Sequence, residues 1–99
     1  YPYLDMYRRI VERKLGVIVR SSLKEGFLTG KFNRETRFTD PADIRSKLSA
    51  EEIERLVAAV DRFRFLSGNG RSMLNAAVAY PLSFPGTSTV ILGTKTSQQ

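Results

Sequence analysis

The chain has 99 residues, a net charge of +6 and neither cysteine nor histidine. Disulfides, thiolate metal sites and imidazole chemistry are therefore excluded, and no apolar run approaches the ~20 residues of a membrane span. The positive excess lies in the first half, with eleven Lys/Arg against six Asp/Glu in residues 1–49 and five against four in residues 50–99; spread in this way it favours a polyanion without resembling a nucleic-acid tail.

Residue 1 opens directly into YPYLD, with neither a basic leader nor an apolar signal core, so a cytoplasmic location is expected. Residues 5–15, DMYRRIVERKL, read as a short helix capped by Asp5, with Met6, Ile10 and Leu15 on one side and the charged residues on a solvated face. Gly16 should stop it. Val17, Ile18 and Val19 then form an unalternating β-branched run, the pattern of a strand buried on both faces of a parallel sheet. Residues 21–47 are polar and irregular, and loops of that length tend to be functional.

Ser49 and Glu52 have the spacing of a capping box, with Leu48 and Ile53 as the flanking hydrophobic staple. Ile53, Leu56, Val57, Val60 and Phe63 recur at helical spacing, which predicts a helix over residues 50–66 ending before SGNG. A further helix is predicted from Ser72 through MLNAAVAY, burying Met73, Leu74, Ala77 and Val78, and kinked or ended by Pro81. Thr89, Val90, Ile91 and Leu92 read as a second short buried strand closed by Gly93, and TKTSQQ stands where another helix would start. Strands separated by helices imply parallel pairing by crossover, hence one α/β domain over residues 1–99.

Ligands of α/β folds bind at the C-terminal ends of the strands. After the first strand come Arg20, Ser21, Ser22, Lys24, Gly26, Gly30 and Lys31, residues able to approach and neutralise phosphate. A surface loop with ordinary turn glycines explains them equally, since no P-loop or dinucleotide fingerprint is present. After the second strand, Gly93, Thr94, Lys95, Thr96 and Ser97 read either as an anion site or as a capped helix with one exposed lysine. Tyr1, Tyr3, Tyr7 and Tyr80 could donate protons, but packing accounts for them; Asp5 and Asp61 have capping or surface roles, and no nucleophile–base pair stands out.

At these two loops the chain resembles the aldo-keto reductases. GVIVRSSLKEGFLTGKFNRETRF is similar to the segment that many bacterial members write as GVGVIVRSPLxxGLLTGKYxxxTRF, and STVILGTKTSQQ to their VIPGAxxxxQ. LSAEEIERLVAAVDRF and GRSMLNAAVAYPLSFPGTST match the connecting helices in order, and YPYLD resembles the strand end YNLLD. The resemblance implies the C-terminal βα units of a partial (β/α)8 TIM barrel, with a long cofactor loop, binding NADPH across its C-terminal face. It implies Arg20 against the nicotinamide; Ser21, Ser22 and Leu23, with the turn of Lys24, Glu25 and Gly26, along the pyrophosphate; and Lys31 on phosphate. Arg45, or Arg37, would reach the adenosine side, and Gly93, Lys95 and Gln99 would surround the 2′-phosphate and adenine. Lys95 would favour NADPH over NADH.

The chain also departs from the family pattern. The family's catalytic Asp, Tyr, Lys and His lie upstream of anything present, so no residue here inherits a catalytic role. Ser22 replaces a proline, the segment between Asp5 and Gly16 is short, and the sequence stops before the acidic and asparagine positions of the adenine clamp. The expected function is that of an NADP(H)-binding portion of a carbonyl reductase, with hydride transfer to an aldehyde or ketone only in a complete barrel. A truncated, non-catalytic nucleotide-binding or interaction module is the alternative. A nucleic-acid-binding domain has no recognised motif in its favour. An open piece of barrel would expose sheet edges, so self-association is expected.

Overall fold

The computed structural model describes residues 2–99, with side chains from Leu4 onward; Tyr1, the side chain of Tyr3 and the start of the YPYLD match lie outside the described residues. Helix α1 spans Pro2–Glu12, strand β1 Ile18–Val19, helix α2 Ala50–Asp61, helix α3 Met73–Leu82 and strand β2 Thr89–Val90. Short 3-10 turns lie at Phe27–Thr29, Ile44–Lys47 and Arg64–Leu66. The two strands pair in parallel, Ile18 with Thr89 and Val19 with Val90, as the helical crossover between them requires. Among the described residues, no helix is long and apolar enough to cross a membrane.

Helix α1 starts earlier than its charge pattern indicates. Asp5 lies inside its first turn and pairs with Arg8 at 3.6 Å, so it is not the cap. Lys14, rather than Gly16, ends the helix: its left-handed φ of 53° lets Leu15 N–H return to the Ile10 carbonyl at 3.0 Å, closing the helix in the manner of a Schellman turn. Met6 and Leu15 are exposed, and the face of α1 that packs inward carries Tyr7, stacked on Phe84 at 5.2 Å, and Ile10. Gly86 lets this face approach, because a Cβ there would stand 3.0 Å from Ile10.

Both capping boxes are formed. Ser49 Oγ accepts from Glu52 N–H at 3.2 Å while Glu52 Oε2 accepts from Ser49 N–H at 2.7 Å, a bond that holds the Glu52 carboxyl below its ordinary range. Ser72 and Asn75 repeat the arrangement at α3. Replacing Ser49 by alanine removes one half of the first box and should cost about 1 kcal/mol of stability in urea titration; a change within error would show that α2 is held by packing alone. Helix α2 stops at Asp61, short of residue 66, and this turns Phe63 outward to 49% exposure. Pro81 sits in the last turn of α3, where it has no N–H to give the Ala77 carbonyl, and the helix ends one residue later.

The core is displaced from the sheet. Phe27, from the loop after β1, is buried with Ile53, Val57 and Val60 of α2 and Met73 of α3; Leu28, Phe32, Phe38, Leu48 and Leu56 pack against them. Leu74, Ala77 and Val78, expected inside, are exposed or half-buried. Ile18, Ile91 and Leu92 are exposed as well, so neither strand is buried on both faces. The physical reason is the lack of covering layers: a two-stranded sheet leaves both outer edges and much of each face open. The Cα radius of gyration of 15.8 Å is correspondingly larger than the ~13 Å of a compact domain this long.

Candidate functional site

An open cleft of about 760 Å3 lies where the segments leaving the C-terminal ends of β1 and β2 meet, within the ~300–1,000 Å3 of small-molecule sites. All but two of the residues that the resemblance singles out line it, drawn from three stretches: 20–31, Arg45 and 93–99. Lys24, which pairs with Glu25 at 3.3 Å, is not among the lining residues. Arg37 is also elsewhere, donating to the carbonyls of Arg34 and Thr36.

The first wall is a strained loop. Ser21, Lys24 and Glu25 have φ of 60°, 47° and 50°, and Gly26 follows at 92°. Left-handed conformations in side-chain-bearing residues are costly and persist only where surrounding structure fixes them. Here the fixing comes from below: Lys24 and Gly26 N–H groups bond to the Ser21 and Leu23 carbonyls, and Phe27 plugs the loop into the core at 2% exposure. The N–H groups of Ser21, Ser22 and Leu23 find no backbone acceptor among the described residues. The Ser22 hydroxyl is buried at the cleft with no partner. An orphaned buried hydroxyl beside free backbone donors is the chemistry that an anionic oxygen would satisfy.

The second wall follows β2. Lys95 N–H donates to Gln99 Oε1 at 2.7 Å and Gln99 N–H to the Thr96 carbonyl at 3.2 Å, so the last residues curl as turns rather than as a helix. The Lys95 ammonium is extended into solvent, with its side chain 77% exposed.

Between the walls stands an ion pair. Asp43 Oδ1 accepts from Arg45 N–H at 3.0 Å and from Arg45 Nε at 2.8 Å, while Asp43 Oδ2 accepts from Arg45 Nη2 at 2.5 Å. Both side chains are about 15% exposed, at 14% and 15%. Arg45 also donates through Nη1 to the Glu25 carbonyl at 2.9 Å and lies over Phe38 and Phe32, at 4.4 and 5.4 Å from the ring centroids. It is thus a strut under the first wall, with three of its nitrogens engaged. Hydrogen bonds from Arg45 hold the Asp43 carboxyl far below the usual carboxylate range, and the same contact raises the Arg45 guanidinium. Lys31 lies over Phe32 at 5.0 Å.

Asp43, Phe32 and Phe38 are the lining and supporting residues that composition does not single out. The one signal for Asp43 is its place two residues before Arg45, where its carboxylate caps the turn Ile44–Lys47. A second depression, of about 290 Å3 beside Leu48, Glu52, Arg55 and Leu56, lies on α2 away from both strand ends.

The model of the Aldo/keto reductase family matches residues 3–99. No curated protein and no solved structure matches the chain.

Proposed function

On the premise that the chain belongs to the aldo/keto reductase family, we propose that its 99 residues form the C-terminal βα units of a (β/α)8 barrel and bind NADP(H) in the cleft beyond β1 and β2. The family is one of oxidoreductases built on a TIM-barrel-type α/β fold. The observation that carries the reading is the Ser22 hydroxyl, buried and unpartnered at the end of a parallel strand, with the cations Arg20, Lys31 and Lys95 around the same cleft. Arg20 lies against the nicotinamide. The Ser21, Ser22 and Leu23 N–H groups and the Ser22 hydroxyl receive the pyrophosphate, with Lys31 neutralising it. Gly93, Lys95 and Gln99 take the 2′-phosphate and adenine. Lys24 does not line this cleft, and Arg45 shapes it from beneath.

Bound NADPH supplies the hydride for carbonyl reduction in the complete barrel. This chain's own residues bind and orient the dinucleotide, and no proton-transferring residue is assigned among them. Titration of the chain with NADPH, followed by cofactor fluorescence, should give saturable binding. A linear response up to millimolar cofactor would overturn the reading. A non-catalytic interaction module is the second reading, favoured by exposed apolar side chains such as Ile18, Ile91 and Phe65. The same NADPH titration separates the two, since a chain that only docks a partner gives no saturable cofactor binding.

A further inference from the structure

We propose that Asp43 sets the charge preference of the cleft: its carboxylate limits discrimination in favour of a phosphate monoester over a hydroxyl at the corner shared by Arg45 and Lys95. The inference rests on the dinucleotide reading for the identity of the ligand, but not for the chemistry of the corner.

The corner has two cations with the Asp43 carboxylate between them, and the Glu25 carboxylate is near enough to act on Arg45. Arg45 is covered on its Nε and Nη2 edge by Asp43, and the Lys95 ammonium stands 3.8 Å from the same Asp43 oxygen. Glu25 presents its carbonyl to the remaining side of Arg45. An incoming phosphate dianion therefore meets an arginine whose best-directed donors are already taken. It also meets a fixed negative charge 3.8 Å from the ammonium of Lys95, the other cation of the corner. Like charges this close oppose each other strongly in a half-buried setting. A hydroxyl suffers no such penalty, because a carboxylate accepts from it. The pair cannot simply open to admit the phosphate. Asp43 is held by the Arg45 backbone as well as its side chain, and Arg45 is clamped over Phe38.

In a dinucleotide the group that differs is the adenosine 2′ substituent, a phosphate in NADPH and a hydroxyl in NADH. Lys95 pulls toward the first and Asp43 pushes against it. The wild-type chain should thus bind NADPH over NADH by no more than about tenfold, where two unopposed charged contacts would give on the order of a hundredfold or more. Asp43→Asn keeps an oxygen for the Arg45 N–H and removes the charge; Asp43→Ser does the same with a shorter side chain.

The test measures dissociation constants of NADPH, NADH and inorganic phosphate for the wild type and both variants, with circular dichroism reporting the fold of each. In either variant the NADPH preference should rise by about tenfold, and phosphate should bind more tightly. If both dinucleotides bind and neither the preference nor phosphate affinity changes, the role of Asp43 is wrong and the dinucleotide reading stands. If no dinucleotide binds but phosphate binds more tightly to the variants, the dinucleotide reading falls and the corner is as described. A wild-type preference of several hundredfold would overturn the inference without any variant.

Discussion

Phe27→Ala is expected to lose about 3–5 kcal/mol, the usual cost of truncating a buried phenylalanine, and with it most of the chain's stability. Among the described residues the core cluster has five buried side chains, and the turn that carries Phe27 contacts both helices that supply the others. Its ring also meets Phe32 at 5.1 Å and Phe38 at 6.0 Å, and these two carry Arg45 and Lys31. The truncation should therefore unfold the chain at much lower urea, with far-UV circular dichroism as the readout. A loss below about 1 kcal/mol, typical of a surface change, would mean that the cleft loop does not depend on the core beneath it. Phe27→Leu, which refills most of the volume, should recover much of the loss.

Lys95→Met should weaken NADPH binding by about tenfold or more, the worth of one charge-assisted contact, while NADH binding changes little. The substitution leaves the hydrophobic stem and removes the ammonium. With its side chain 77% exposed and its nearest charge 3.8 Å away, Lys95 contributes almost nothing to stability, so an unchanged urea midpoint is part of the prediction. Raising the salt concentration should weaken NADPH binding more in the wild type than in the variant, because the lost contact is a solvent-exposed charge pair. Equal loss for both dinucleotides would place Lys95 elsewhere on the ligand.

What could be read from sequence was what local chemistry decides. Ser49 and Glu52 announce a helix start through a reciprocal hydrogen bond between neighbours, and the two β-branched runs announce strands that pair in parallel. What could not be read depends on what packs where. Val17, Ile18 and Val19 carry the composition of a fully buried strand, yet Ile18 is 65% exposed because only β2 lies beside it. Phe63 has the right spacing for the α2 stripe and is lost from it when the helix ends two residues earlier. The cleft residues are legible as a set because they cluster at the ends of two strands; their individual commitments are not. Nothing in the order of residues 40–47 states that Arg45 would spend its donors on Asp43 and Glu25, since that needs Phe32 and Phe38 to fold beneath it. Lys24 belongs to the same basic stretch as Lys31, yet only Lys31 lines the cleft; Lys24 opens a run of three left-handed residues and pairs with Glu25.

The pairing of β1 with β2 has a consequence for how the cleft responds to its ligand. Val17 and Ser88, 71 residues apart, are joined across it by a short ladder: Ser88 and Thr89 N–H to the Val17 carbonyl, and Ile91 N–H to that of Val19. Closing so long a loop for so few bonds is entropically expensive. The seam is thus held by few bonds, although both walls of the cleft hang from it. A molecule bridging residues 20–23 and 93–99 acts as a tie across that seam, binding only the closed form. Ligand affinity and amide-exchange protection at Thr89 and Ile91 should then rise and fall together, with the cleft assembled as much by its occupant as by the chain.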